Sequence, residues 1–131
     1  MKKDIKIPEV DNVLMAISQE YNEAFKANDH YAYLINKKEV DLDMVLILSQ
    51  GTDGERSTST MRHKIDKLPA NSFAKVELLQ AEILSLHNHF KVTFFEKNQM
   101  FEKEFILKKN SIKEGTLRHI DILNKRGVLL K

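Results

Sequence analysis

The part of the chain that most constrains its fold is residues 90–107, FKVTFFEKNQMFEKEFIL, where two runs of strand-forming residues flank a polar turn. We expect the chain to fold back about Asn98-Gln99, so that the two runs pair as antiparallel strands. The facing pairs are then Phe90 with Leu107 and Val92 with Phe105 on an apolar face, and Thr93 with Glu104 and Lys91 with Ile106 on a mostly polar face. One apolar and one polar face are typical of a half-buried hairpin, so the sequence predicts a sheet.

Length and composition indicate a single domain over residues 1–131. Of the 131 residues, 42% are hydrophobic and 31% charged, which is enough apolar material for one core. The chain has no cysteine, which fits a reducing compartment and excludes disulfides and thiolate nucleophiles. The longest apolar run, Met44–Leu48, is too short to span a bilayer. Residues 1–9 lack a signal-peptide pattern, so we expect a cytoplasmic protein whose first nine residues are a loosely ordered lead-in.

Further strands are predicted from β-branched and aromatic runs at Tyr31–Ile35, Met44–Ser49, Ser57–Lys64 and Phe73–Leu79. Turns are predicted at Gln50–Glu55 and Leu68–Ser72, which are rich in glycine, proline and small polar residues. The continuous apolar run Met44–Ser49 predicts burial on both faces, whereas Ser57–Lys64 predicts one solvated face.

Two segments carry both helical and strand signals. In residues 12–25, a helical stripe from Leu14 to Phe25 competes with a strand-like alternation that begins at Val13. Phe73–Leu79 also begins a helical stripe, but a strand followed by a helical turn at Ala81–Leu86 accommodates both signals. The inward residues of that strand would be Ala74, Val76 and Leu78.

A short C-terminal helix is predicted after residue 110. Ser111 and Glu114 have the spacing of a capping box, and Gly127 lies where a C-terminal cap belongs. The apolar stripe of this helix would be Leu117, Ile120 and Leu123. Gly115 weakens the middle, so we expect the helix to be short or broken.

Three pairs of residues have spacings that occur in metal-binding or phosphate-binding sites. His87 and His89 would share one face of a strand and are the candidate metal ligands, with His63 or His119 as a distant third. On a loop or a helix end the two rings would diverge, and two histidines alone are common, so no metal, no cofactor and no catalytic residue is predicted. Asp41 with Asp43, and Gly51 with Gly54, are better explained by a solvated connection and a hairpin turn.

An anion or nucleic-acid surface is the second hypothesis. Residues 1–55 carry a net negative charge and residues 56–131 a net positive one. The candidate contacts are Thr58, Thr60, Arg62, His63 and Lys64, supported by Lys67, Lys108, Lys109 and Lys113. If strands from both halves interleave, the charges mix on the folded surface; we favour that alternative because no run is densely basic.

Several motifs resemble those of a family of small bacterial proteins that often carry the label phenylalanyl-tRNA synthetase alpha subunit. The motifs are Tyr33-Leu34-Ile35-Asn36, Val45-Leu46-Ile47-Leu48-Ser49, Met61-Arg62-His63-Lys64, Asp66-Lys67-Leu68-Pro69, Ser72-Phe73-Ala74-Lys75 and Phe90-Lys91-Val92-Thr93-Phe94-Phe95. A class II synthetase needs a longer catalytic domain, an arginine-bearing ATP motif and a glycine-rich motif ending in arginine. Neither motif is present and the chain has 4 glycines, so we do not expect a synthetase.

The order of motifs from Tyr33 to the Phe90 hairpin is also similar to small β-sandwich domains that accompany Smr-type proteins. This resemblance implies strand for residues 12–25 and 73–79. Together with the alternation it predicts a mainly β protein, an antiparallel β-sandwich of about seven strands with a short C-terminal helix. The predicted function is that of a non-enzymatic protein-interaction or structural module. We expect it to bind a protein partner, which the sequence does not identify, or to self-associate through a sheet edge or face. A tRNA- or nucleic-acid-binding protein is the alternative, and a metal-dependent enzyme comes third.

Overall fold

The computed structural model describes residues 10–130, so the lead-in expected for residues 1–9 lies outside the described part of the chain. Its strands are β1 Val13–Asn22, β2 Ala27–Asn36, β3 Leu42–Thr52, β4 Met61–Leu68, β5 Ser72–Leu78, β6 His87–Glu96, β7 Gln99–Leu107, β8 Arg118–Ile120 and β9 Lys125–Leu130. A four-residue helix, α1 Ala81–Leu84, precedes β6, and a 3-10 turn, Glu114–Thr116, precedes β8. No helix in this part of the chain is long and apolar enough to cross a membrane.

The strands form two antiparallel sheets that share one core. Sheet A has the order β5-β2-β1-β9-β8, and sheet B has the order β4-β3-β6-β7. Met15 and Leu34 of sheet A belong to the same buried cluster as Ile47 and Phe90 of sheet B. The prediction of a mainly β protein is therefore confirmed, although nine strands replace the expected seven.

The β6–β7 hairpin is present, but its turn lies one residue earlier than predicted. The turn residues are Lys97 and Asn98, both with left-handed backbone angles (φ 49° and 66°), as two-residue hairpin turns require. Phe90 consequently faces Phe105 instead of Leu107, because the register differs by two residues from the predicted one. A shift of two residues leaves every side chain on its predicted face, so the apolar and polar faces stay as expected.

The prediction of a C-terminal helix is wrong. The stretch forms the 3-10 turn, then β8, a turn and β9, which pairs with β1 in the middle of sheet A. Gly127 is not a cap: it lies opposite Ser18, where an added Cβ would collide with the carbonyl oxygen of Ile17. Tertiary pairing outweighs the local capping signal here because β1 needs a second neighbour to satisfy its backbone groups.

Two other local predictions are corrected, and one ambiguity is resolved. Residues 12–25 form β1 and the following turn, which resolves their ambiguity in favour of strand. Leu78 is exposed and Leu79 is buried instead, because a bulge after Lys75 in the β2–β5 pairing changes the facing of the strand end. The burial on both faces predicted for Met44–Ser49 is wrong, because β3 alternates between buried and partly exposed residues. Met44 adopts a left-handed φ of 50°, and 70% of its surface is exposed.

The acidic and basic halves of the sequence do not form separate bodies. β1, β2 and β3 come from the acidic half, while β4 to β9 come from the basic half. Each sheet contains strands of both halves, so their charges meet on both folded surfaces.

Candidate interaction surface

The five predicted anion-binding residues do not form one group. Arg62 and Lys64 lie on the outer face of sheet B, opposite Leu48 and Leu46 of β3. His63 points the other way, and its Nε2 lies 2.9 Å from Oε1 of Glu77.

The two threonines lie before β4, where the prediction had a strand. Thr58 is occupied in the turn that follows β3, since its Oγ1 accepts a hydrogen bond from the Gly51 amide at 2.9 Å. Thr60 is exposed and borders a small groove beside Gln50, His89 and Lys91. Of the predicted group, Arg62, Lys64 and Thr60 remain available to a ligand.

The candidate metal ligands are spread over the molecule. His87 and His89 occupy alternate positions of β6, as a strand requires, and Nδ1 of His87 accepts a hydrogen bond from the Lys109 amide at 3.2 Å. His63 points into the sandwich from β4, and His119 is on β8 of the other sheet. Within residues 10–130, no three histidine or carboxylate side chains gather as a metal-binding group.

Asp41 and Asp43 are likewise separated by their environments. Oδ1 of Asp41 accepts a hydrogen bond from the Ala70 amide at 2.9 Å and so holds the β4–β5 turn in place. Asp43 is in β3, paired with Lys67 and Phe95. Gly51 is in β3 and Gly54 is in the turn that follows it, as predicted for a hairpin turn.

A Ser–Glu–His cluster bridges the two sheets. Oε1 of Glu77 in β5 accepts a hydrogen bond from the Ser49 hydroxyl at 2.6 Å and contacts His63 at 2.9 Å. A nucleophilic triad needs the serine on the histidine, whereas here both side chains meet the same carboxylate oxygen. The cluster therefore ties β5 to sheet B on the side of the molecule where β4 passes into β5.

A second polar network lies on the outer face of sheet A around Glu20. Its Oε2 accepts hydrogen bonds from the hydroxyls of Ser18 and Tyr33, both at 2.7 Å, and Lys75 and Lys125 lie 3.5 and 3.4 Å from Oε1. Burial raises the pKa of Glu20, but the two hydroxyls and two lysines outweigh it and leave the pKa lowered. Burial and the neighbouring carboxylate raise the pKa of Tyr33 far above its usual value. Neither group is suited to exchange protons near neutral pH, so the network is structural.

The open edges of the two sheets differ in how they are protected against pairing with another chain. Edge strands are commonly blunted by bulges, charges that point inward, or short length. In β5 the bulge follows Lys75, and β8 has only three residues. In β7, Lys103 shares the inward face with Phe105 and its Nζ lies 5.0 Å from that ring. β4 carries a run of charged residues, Arg62 to Lys67.

The last part of β9 is an edge without a bulge or an inward charge. β9 pairs with β1 up to Leu130, but β8 reaches only as far as Gly127. Val128, Leu129 and Leu130, here called the β9 edge, therefore have a strand neighbour on one side only. They carry no charge, and Leu129 is 49% exposed. Apart from its short length, which it shares with β8, this edge has none of the devices that protect the other edges.

Two apolar grooves flank the β9 edge. The outer groove, about 470 Å³, lies on the outer face of sheet A and is lined by Leu14, Ile35, Ile120, Ile122 and Leu129. The junction groove, about 250 Å³, lies between β9 and β7 and is lined by Ile106, Leu107 and the β9 edge itself. Because successive side chains of a strand point to opposite faces, a strand added at the β9 edge would fill both grooves alternately.

The polar residues around the two grooves are mainly basic. Lys37 and Arg118 border the outer groove, and Lys108 borders the junction groove. None of the three has a carboxylate partner within residues 10–130. His119 and Asp121 also border the outer groove and lie 3.5 Å from each other.

Sequence reasoning missed this surface because it assigned the residues before it to a helix. Leu130 packs against the body with 7% exposure, whereas Leu129 is 49% exposed. The available signal was the alternation itself, since three consecutive apolar residues on a strand must place one on the opposite face from the other two.

Comparisons with protein-family models, curated proteins and solved structures found no match for the chain. The resemblance to the family of small bacterial proteins therefore stays a prediction.

Proposed function

We propose that this two-sheet domain, a β-sandwich, is a non-enzymatic protein-interaction module that binds a partner polypeptide by strand addition at the β9 edge. The observation that carries the proposal is the contrast between edges: β4, β5 and β7 carry a bulge or charged residues, whereas Val128–Leu130, although as short as β8, carries neither and is apolar. Natural proteins block edges that would otherwise pair, so an unblocked apolar edge is a natural binding surface.

Exposed apolar residues on neighbouring strands support the proposal. Leu129 is 49% exposed on one side of the β9 edge, and Ile106 of β7 is 42% exposed beside the junction groove. Burying most of an exposed leucine contributes about 1–2 kcal/mol, and the backbone hydrogen bonds of an added strand supply orientation. Such a surface suits a short segment of a partner better than a large flat interface.

The test compares two single variants in an affinity capture from native cells, quantified by mass spectrometry. Leu129→Ser removes the exposed apolar side chain from the β9 edge, and Met100→Ser is the matched control at the far end of β7, where Met100 is 54% exposed. We expect Leu129→Ser to lose partners that both the wild-type protein and Met100→Ser retain. If Leu129→Ser retains all of them while its circular dichroism spectrum matches the wild type, the proposal is wrong.

Nucleic-acid binding is the second candidate function. The observation that favours it is the pair Arg62 and Lys64 on the outer face of sheet B, with no carboxylate partner in the described part of the chain. Lys91 lies two strands away, but its Nζ is 3.7 Å from Oε1 of Glu102. This carboxylate partly offsets the positive charge that Lys91 would add to the surface. Filter binding to tRNA and short duplexes across a salt series tests this candidate, since phosphate contacts weaken steeply with salt. Absence of binding at low salt would exclude it.

A further inference from the structure

We infer that the segment recognised at the β9 edge is an acidic, extended peptide of another protein, in which apolar side chains alternate with residues that include Asp or Glu. This inference rests on the proposed function and adds the chemistry of the partner. It is carried by the juxtaposition of an unpaired apolar strand edge with Lys37, Arg118 and Lys108.

The geometry of the edge defines the extended part of the inference. The backbone groups of Val128–Leu130 that point away from β1 can form strand hydrogen bonds with a peptide in β conformation. Alternate side chains of that peptide would enter the outer groove and the junction groove, which lie on opposite faces of sheet A. The outer groove is the larger, about 470 against about 250 Å³, so the bulkier apolar side chain belongs there.

The distribution of charge defines the acidic part. Arg118 is paired with Gly127, at the limit of the β8–β9 pairing. Lys37 directly follows the end of β2. The two cations therefore lie towards opposite ends of the outer groove. Lys108 stands at the junction groove on the other face. Carboxylates on both faces of an added strand would therefore meet a cation, and among residues 10–130 Asp121 is the one acidic residue that lines either groove.

The same charges argue against a second copy of this chain as the occupant. Pairing two β9 edges across a two-fold axis would place the cations of one copy near the identical cations of the other. Like charges brought together at an interface are unfavourable. A partner of opposite charge is favoured instead.

The experiment is a selection of peptides from a random display library on the intact protein. Selection on the wild type is compared with selection on Leu129→Asp, which places a carboxylate at the edge, and on the double charge reversal Lys37→Glu with Arg118→Glu. Lys64→Glu, on the outer face of sheet B, is the control for a single charge reversal and matches the charge change of Lys37→Glu. Because Arg118 donates hydrogen bonds to the carbonyls of Gly115 and Leu117, the single variant Lys37→Glu is included to separate charge from folding.

We expect the wild type and Lys64→Glu to enrich peptides in which Asp or Glu exceeds Lys and Arg and apolar residues occupy alternate positions. A selected acidic peptide should bind the double reversal about tenfold more weakly, as the loss of two exposed ion pairs and their replacement by repulsion implies. The same peptide should bind Leu129→Asp more weakly still.

The outcomes separate this inference from the proposed function. Peptides without acidic excess that nevertheless depend on Leu129 would overturn the acidic partner and leave strand addition standing. Peptides that bind Leu129→Asp as well as the wild type, or no enriched peptide at all, would overturn both. A dimer in analytical ultracentrifugation that Leu129→Asp dissociates would show that the occupant is a second copy, against the inference.

Discussion

Gly127→Ala tests whether β9 is seated against β1 as described. An added Cβ at Gly127 would overlap the carbonyl oxygen of Ile17 and lie 3.0 Å from both the carbonyl carbon of Ile17 and the Cα of Ser18. These are backbone atoms in the centre of sheet A, so they can yield only if the β1–β9 pairing itself moves.

The expected cost follows from that overlap. Overpacking by one methyl group costs about 1–3 kcal/mol, and the stiffer unfolded chain of alanine returns roughly 0.5 kcal/mol. We therefore expect Gly127→Ala to lower the free energy of unfolding by about 1.5 kcal/mol. At a urea dependence of about 2 kcal/mol per molar, the midpoint of unfolding falls by about 0.75 M.

The assay is urea unfolding followed by far-ultraviolet circular dichroism, with Gly115→Ala as the control. Gly115 has no atom within 4 Å of an added Cβ, so its substitution should leave the midpoint unchanged or slightly raised. Equal midpoints for the two variants would refute the close approach of β9 to Ile17, and with it the position of the β9 edge.

Three further predictions concern other parts of the molecule. Met44→Gly should raise the free energy of unfolding by up to about 1 kcal/mol in the same assay, because it relieves a left-handed residue whose side chain is 70% exposed. Burial lowers the pKa of His30 despite the nearby Asp29, and its Nε2 is buried without a partner, so the unfolded chain takes up the proton first as the pH falls. The wild type should consequently lose stability as the pH falls below about 6.5, and His30→Gln should lose less over the same range. Lys103→Val should increase concentration-dependent association, measured by light scattering, because it removes the inward charge from the β7 edge.

Each of these has a contrary result. A less stable Met44→Gly would mean that the left-handed backbone at Met44 is held by contacts of the methionine side chain. If the free energy of unfolding falls equally with pH in His30→Gln and in the wild type, protonation of His30 does not cause the loss of stability at acidic pH. Unchanged scattering by Lys103→Val, at unchanged stability, would remove the argument that β7 is protected by its lysine.

The sequence predicts those parts of the fold in which local pattern and tertiary pairing agree. Residues 90–107 alternate cleanly, so the hairpin and its faces are predictable although its turn is displaced by one residue. The helix expected after Ser111 fails because Leu117, Ile120 and Leu123 have helical spacing by coincidence. In the structure Leu117 and Ile120 flank or belong to β8, and Leu123 lies in the turn before β9.

The candidate site was less predictable than the fold for a physical reason. The β9 edge exists only because the pairing of β8 with β9 stops at Gly127. The point at which this pairing stops is set by the arrangement of strands in sheet A and not by any sequence motif. Lys37 and Lys108 are far apart in sequence and are brought to the two grooves by β2 and β7. By contrast, Arg62 and Lys64 alternate on one strand, so their common face could be read directly from the spacing.

The pairing of β1 with β9 also governs how the chain reaches this structure. Met15 pairs with Leu130, so the centre of sheet A joins the first and last described strands, whereas β3–β4 and β6–β7 in sheet B are local hairpins. Closing the longer loop costs more conformational entropy and delays its contacts. We therefore expect the local hairpins β1–β2, β3–β4 and β6–β7 to form before the β1–β9 pairing, so that the β9 edge is completed late.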